Sequence, residues 1–446
     1  MIFHFPSSQT ESYLSDKKNR IILYSPNIFL KSQIPEFGIR YPSRRIGAKK
    51  IEKPSSTHRR LSDTGQQQQN NPAIKHPTTM SMLSPPFSLL QSSQSNSKPF
   101  GIAFDIDGVI LRGRHTIGGS AQALQRLYHQ SGALKVPFLF LTNGGGVPET
   151  KRALELSELL GVNILPSQVV QGHSSFRNLL GRYQNELIVA TGKGEPALVM
   201  REYGFKKVLS LDEYASFFKD IDPVSQYKNW TTMSRIDGSN TLKKLASTCD
   251  LYTEKVKAAF IVSDPVDWGR DIQVLCDILR FGSPAGQEDG GQPALYFAAD
   301  DLEYQAAFPA KRLGVGAFRI ALESIYNRIH HTQLEYTIFG KPEPIAFKNA
   351  EAILRQLHCH MDLDFHVKDN QSNYFRALYM VGDNPSVDIK GARQAGNPWI
   401  PVLTRTGMFQ GQGNHKEHPA DLVMDTVEDA VDYILEKESC SGCTSG

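Results

Sequence analysis

A small set of residues stands out by type and spacing. Asp105 and Asp107 lie two apart at the end of the apolar run 100–106 and are followed by Gly108. Alternate positions of a strand share a face, so the two carboxylates can converge on one ligand. Close carboxylates repel, and one takes up a proton unless a cation sits between them. Asp383, in Gly382-Asp383-Asn384, follows a second apolar run, 378–381, and adds a third hard oxygen donor. That donor set suits Mg²⁺, which keeps several waters and binds substrate phosphate. No His/Cys cluster offers a zinc site. Thr142, with the backbone amides of Asn143 and Gly144, ends the apolar run 136–141 and precedes a helical pattern. These are neutral donors for an anion at a helix start, and Thr142 is also expected to cap that helix. Lys341, in Phe339-Gly340-Lys341-Pro342, brings a positive charge to the same anion. Nucleophile, acid/base, metal and donors for equatorial oxygens are together the parts of phosphoryl transfer.

The elements that must position these groups alternate. Strands are expected at 100–106, 136–141, 186–190, 257–262, 294–298, 378–381 and 399–403, with helices at 120–130 and 148–160. Apolar strands alternating with helices imply a parallel sheet covered on both faces, a doubly wound, Rossmann-like α/β fold. In such sheets ligands bind at the carboxyl ends of strands, which is where Asp105, Thr142 and Asp383 fall.

Of 446 residues, 40% are hydrophobic and 21% charged, an ordinary globular composition with five cysteines, too few for a disulfide framework. The longest early apolar candidate, 21–30, has ten residues and contains Ser25, Pro26 and Asn27. A membrane-spanning helix needs roughly 20. Residues 1–100 carry 14 Lys and Arg against 5 Asp and Glu, a net +9; the remainder carries 35 against 41, a net −6. The basic character belongs to the leader, and the acidic body is not a general nucleic-acid binder. The leader is rich in Ser, Pro, Gln and Asn, reads as disordered, and has the Arg- and Ser-rich, acid-poor character of an organelle transit peptide. A mitochondrial address is expected, with the plastid as the alternative; the bland reading is a plain disordered extension, or a true start at Met80 or Met82.

The order Asp105-x-Asp107-Gly108-Val109, Thr142-Asn143, Gly340-Lys341-Pro342 and Val381-Gly382-Asp383-Asn384 with Asp388 resembles the four motifs of the haloacid dehalogenase superfamily. The resemblance covers about residues 100–437. It implies Asp105 as the nucleophile that takes the phosphoryl group, and Asp107 as the acid/base. Thr142, Asn143, Gly144 and Lys341 would bind phosphate. Mg²⁺ would be held by Asp105, Asp107 (through its backbone carbonyl), Asp383 and Asp388. The substrate would be a small phosphorylated metabolite; the alternative is a binding or regulatory protein of the same fold with little turnover.

Spacing places an insertion. Asp105 and Thr142 are 37 residues apart, too close for a domain, whereas Thr142 and Lys341 are 199 apart. This resembles the class IIA members with a C2 cap. The segments 259–268, 312–318 and 141–146 resemble most the cat eye syndrome critical region protein five subfamily. The organisation expected is a leader (1–99), a catalytic core (100–185 and 331–437), an inserted α/β cap (186–330) and a flexible tail (438–446). The cap turns 264–268 and 300–303 are expected to face the catalytic edge, with Asp264 and Trp268 touching substrate. Thr191-Gly192-Lys193-Gly194 lacks the spacing of a P-loop and reads as a loop after a strand. Cys440 and Cys443 are a lone pair near the end of the chain, without the second pair of a zinc ribbon.

Overall fold

The computed structural model describes residues 98–228, 254–282, 291–330, 332–361 and 374–441. Residues 1–97 of the expected leader, Cys443 and the last five residues lie outside them. In chain order the strands are β1 (Phe100–Phe104), β2 (Leu111–Arg112), β3 (His115–Thr116), β4 (Phe138–Thr142), β5 (Val169–Gln171), β6 (Leu187–Thr191), β7 (Lys207–Ser210) and β8 (Ala258–Ile261). They continue with β9 (Ala294–Phe297), β10 (Glu303–Tyr304), β11 (Arg312–Leu313), β12 (Thr337–Ile338), β13 (Ala377–Gly382), β14 (Trp399–Thr404) and β15 (Leu422–Met424).

The first sheet runs β15-β14-β13-β1-β4-β5, with every pairing parallel. Alternation along its strands sorts the core. Ile102, Phe104, Phe138, Phe140, Tyr379 and Val381 pack on one face with residues of the helices Ser120–Gln125, Glu149–Leu160 and Val427–Ser441. Ala103, Leu139, Leu141, Leu378 and Met380 pack on the other, against Phe347, Ala350 and Leu354 of the helix Pro344–Met361. A sheet buried on both faces needs runs that are apolar throughout, and β1, β4 and β13 supply them. The chain winds one way from β1 to β4 and β5 and the other way from β13 to β15. Strand order therefore reverses beside β1, and the crevice at its carboxyl end is the expected binding position.

The second sheet, β12-β9-β8-β6-β7, is also parallel and has its own two-faced core. It is inserted between β5 and β13, and it reaches further than expected. Thr337–Ile338 pairs with Tyr296–Phe297, so the insertion ends at 338 rather than 330, two residues short of Gly340-Lys341. The tail expectation also changes. The last helix runs to Ser441, and Glu438 is buried, accepting from Tyr379 Oη at 2.6 Å and from Arg376 Nε at 2.5 Å. These two bonds tie Glu438 to the first sheet, and the helix carries the chain on to Ser441. The helix expected at 120–130 ends at Gln125, beyond which Tyr128 and Leu134 form a bridge. Among the described residues no helix is long and apolar enough to cross a membrane.

Candidate active site

β1 ends in Asp105, whose N–H donates to Val381 O at 2.9 Å and so locks the strand end to β13. The chain then turns through Gly108, at φ +92°, where a Cβ would collide with the Asp383 carboxylate. Only glycine accepts both the left-handed backbone and that approach. Asp383 follows β13 directly. Its Oδ2 accepts from Met408 N at 2.6 Å. Asp388 comes from the π-helical turn Pro385–Ile389, folds back over Gly382 and accepts from Asn384 N at 3.0 Å. Ligand oxygens of Asp105, Asp383 and Asp388 lie within 4.8 Å of one another.

Lys341 is buried among them. Its Nζ donates to Asp105 Oδ1 at 2.8 Å and Asp388 Oδ1 at 2.7 Å. Burial disfavours the ammonium, but the two carboxylates outweigh it and raise the Lys341 pKa. Asp383 is pushed well above the usual carboxylate range by burial and by the charges of Asp105 and Asp388. The cluster therefore holds more negative charge than Lys341 neutralises. Hard oxygens with surplus negative charge fit a divalent cation such as Mg²⁺.

Asp107 stands apart from that cluster. A Cβ on Gly144 would lie 3.2 Å from Asp107 Oδ2 and 3.3 Å from Thr142 Oγ1. Its side chain thus faces the Thr142 loop and is not in the three-carboxylate group, so the two carboxylates do not converge on one cation as the strand spacing suggested, and the expected ligand role of Asp107 is confined to its backbone carbonyl. Burial first, and then the Asp105 charge, raise its pKa, against Arg152 and Lys193.

The Thr142 loop differs from expectation in one respect. The following helix begins at Glu149 with Pro148 at its cap position, so Thr142 caps nothing; its Oγ1 instead accepts from Gly144 N at 3.1 Å. The Asn143 side chain does what its backbone was expected to do for a ligand: it organises the site. Its Oδ1 accepts from Lys341 N at 2.8 Å, and its Nδ2 donates to Lys341 O at 2.8 Å and to Asp301 Oδ2 at 2.7 Å.

The inserted domain forms the facing wall. Asp105, Asp107, Thr142, Asn143, Gly144, Lys341, Asp383 and Asp388 line one cleft with Lys193, Asp264, Asp301, Tyr304 and Gln305. Lys193 Nζ donates to Asp264 Oδ2 at 2.7 Å and stands 5.5 Å from the Tyr304 ring centroid. Core and insertion interlock here: Gly146 O accepts from Glu195 N at 2.6 Å, and a Cβ on Gly146, at φ +103°, would collide with Lys193 O. Of the two expected substrate residues, Asp264 lines the cleft and Trp268 does not. Trp268 opens the helix Trp268–Phe281, donates to Pro265 O at 3.0 Å and packs edge-on against Phe318, 5.5 Å between centroids. A ring held at both ends inside the insertion is a packing residue.

Sequence reasoning missed Lys193 and Asp301. The first was visible as a Gly-flanked lysine after a strand, and the second lay in the 300–303 turn, where two adjacent aspartates follow an apolar strand.

Two family profiles match, described as haloacid dehalogenase-like hydrolase over residues 102–206 and as HAD-hydrolase-like over 338–430. A mitochondrial hydrolase of Saccharomyces cerevisiae is 31% identical over 360 residues, which cover 77% of this chain and 97% of the yeast protein. The chain belongs to the haloacid dehalogenase-like hydrolases. A Schizosaccharomyces pombe protein named as a fusion of cardiolipin synthase and mitochondrial hydrolase is 31% identical over 79% of this chain and 56% of its own length. Among solved structures, a 4-nitrophenylphosphatase of Thermotoga maritima matches at 16% identity and a TM-score of 0.48, covering 75% of this chain and 97% of that one. The gap between the two profile matches falls on most of the second sheet. In this hydrolase the two matches cover both halves of the first sheet and, of the second, β6 and the end of β12.

Proposed function

We propose that this hydrolase is a Mg²⁺-dependent phosphatase that cleaves a small phosphorylated metabolite through an aspartyl-phosphate intermediate. The observation that carries the reading is the pairing of Asp105 and Asp107 in one cleft. The first is bound to Lys341 at 2.8 Å within a three-carboxylate cluster; the second lies outside that cluster with a raised pKa. Lys341 holds Asp105 Oδ1, and the other oxygen attacks phosphorus. The phosphorus–oxygen bond to the leaving group breaks, and that oxygen takes the Asp107 proton. Water then gives a proton to Asp107 and attacks the aspartyl phosphate, freeing inorganic phosphate and Asp105. Thr142 and Lys341 orient the phosphoryl oxygens, with the amides of Asn143 and Gly144 beside them.

Asp105, Asp383 and Asp388 would hold the cation, with the Asp107 carbonyl as a further ligand. When bound, Mg²⁺ neutralises phosphoryl charge. On the facing wall Lys193 and Asp264 meet the leaving group. A mitochondrial location accords with the basic leader and with the names of the two fungal relatives. The narrower subfamily likeness rests on its sequence segments alone.

The full chain should release phosphate from p-nitrophenyl phosphate with Mg²⁺ and stop in excess chelator. Asp105→Asn should lose at least 10⁴-fold, about the loss seen when a nucleophile is removed. Turnover unchanged in Asp105→Asn would refute the mechanism; no turnover by the native chain on any phosphomonoester would favour the binding-protein alternative.

A further inference from the structure

The second sheet approaches the chemistry more closely than a lid that only selects substrate. Lys341 lies three residues beyond β12, which pairs with β9 in the inserted sheet. Phe339 N donates to Phe297 O at 3.0 Å, extending that pairing to within two residues of the lysine. β9 leads at its other side into Ala298, Ala299, Asp300 and Asp301. Asp301 O accepts from Gly316 N at 2.9 Å, which fixes the turn to the helix Val315–His330. One carboxylate oxygen of Asp301 takes Asn143 Nδ2 at 2.7 Å, and Asn143 grips both backbone groups of Lys341 at 2.8 Å.

We infer that Asp301, a residue of the inserted domain, is a positioning residue for catalysis: by orienting the Asn143 carboxamide it sets the placement of Lys341 against Asp105. A carboxamide can turn end for end, exchanging its oxygen and nitrogen. In the flipped state its nitrogen would meet the Lys341 N–H, and its oxygen would meet the Lys341 carbonyl. Ionised Asp301 adds to the cost of that state and anchors the carboxamide to the inserted domain, because a carboxylate accepts from the nitrogen and repels the oxygen. Desolvation, with the charges of Asp105 and Asp388, raises the Asp301 pKa to about 7 against the bond from Asn143 and the charge of Lys341. The insertion accordingly completes the lysine's geometry, and chemistry is lost together with discrimination when the two walls separate.

The inference rests on the phosphatase reading for its kinetic test and not for its structural one. Asp301→Ala should lower kcat for p-nitrophenyl phosphate, a substrate that needs few contacts from the insertion, by about 10²-fold, the cost of roughly an ångström of misplacement. KM should move by less than about threefold, because the ground-state contacts stay. Asp301→Asn, which keeps an acceptor oxygen, should recover part of the loss. Asp301→Ala and Asn143→Ala together should be no worse than the poorer single variant, since both break one chain of contacts. Hydrogen exchange read by mass spectrometry on 339–343 should show the Lys341 amide deprotected by at least tenfold in Asp301→Ala, with β8 still protected. A residue that merely stabilises the fold would deprotect β8 as well and leave kcat per folded molecule intact. Unchanged kcat, additive variants or unchanged exchange at Lys341 would each overturn the inference. A native chain without aryl phosphatase activity would sink the phosphatase reading, and the exchange result would then decide this one alone.

Discussion

The two walls of the cleft are built by different means. The wall from the first sheet is buried and charged: Asp105, Asp383, Asp388 and Lys341 are each at most 8% exposed and hold one another through bonds of 2.7–2.8 Å or share one ligand site. The wall from the second sheet is wetter. Lys193 and Asp264 pair at 2.7 Å, yet their side chains are 46% and 27% exposed. Buried ion networks are costly to break and fix geometry, whereas half-exposed pairs contribute little and can exchange partners with a ligand. The first wall is therefore suited to one reaction and the second to choosing what is brought to it. Asn143 and Asp301 are where the two meet.

The contrast breaks most visibly at Asp107, which belongs to the first wall and faces the second. Asp107→Asn should slow turnover by about 10²–10⁴-fold with folding intact, the usual span for a general acid/base. An alkyl phosphate, with a leaving group of high pKa, should suffer more than p-nitrophenyl phosphate. Equal losses would remove the acid role. The alkaline limb of the pH profile should also mark the residue: its pKa is raised by burial and by Asp105, so the native chain keeps the proton it must donate to higher pH than a free carboxyl would. An alkyl-phosphate rate that falls on the alkaline side only above the range of an ordinary carboxyl agrees with this.

A second test falls on the seam between the sheets. His173 follows β5, is fully buried, and its Nδ1 lies 2.7 Å from Tyr203 Oη; Tyr203 donates to Glu149 Oε1 at 2.5 Å. Arg177 closes the group, donating to Glu149 Oε2 at 3.0 Å and covering the Tyr203 ring. Burial, against the pull of Glu149, lowers the His173 pKa from 6.5 to about 4. The folded value lies below the unfolded one, so the unfolded chain binds more protons between those limits. This contribution to stability is whole above about pH 6.5 and lost as pH falls toward 4. By pH 5 the loss should be about 2 kcal/mol. Urea unfolding at pH 7 and pH 5 measures it, and His173→Gln should flatten the difference whatever it does to stability at pH 7. An unchanged slope would place the titration elsewhere.

The same contrast explains what the sequence disclosed. β1, β4 and β13 are apolar throughout because both of their faces are covered, so runs ending in Asp105, Thr142 and Asp383 marked strand ends without ambiguity. Residues that must be both buried and charged have few alternatives, and Lys341 and Asp388 fell where their motifs put them. The second wall was less legible. Trp268 looked like a ligand contact, but its ring is satisfied by Pro265 and Phe318, partners that are far from it or anonymous in sequence. Lys193 was taken for loop, which it is. Its reach into the cleft depends on Gly146 admitting the Lys193 carbonyl, a close approach between residues 47 apart. Asp301 depends on Asn143, 158 residues away. Local pattern carries strand ends; it does not carry which loops of two sheets touch.

The smallest effect should come from the second wall itself. Lys193 has one bond to Asp264, and its ammonium has three donors. Two remain for a leaving group or water, and Asp264 keeps acceptor capacity beside them. Being half-exposed, the pair is screened. A ligand hydrogen bond to it should contribute about 1 kcal/mol, so Lys193→Met or Asp264→Asn should raise KM for a polar phosphorylated metabolite by about 3–10-fold. For each variant the quantity to follow is the ratio of kcat/KM on that metabolite to kcat/KM on p-nitrophenyl phosphate, which cancels any loss of folded protein. The ratio should fall in both variants and in neither case approach the damage at Asp107. A ratio that stays constant would mean that this wall touches no substrate, and a loss of 10² or more on both substrates would mean that Lys193 acts on Asp107 and belongs with the first wall.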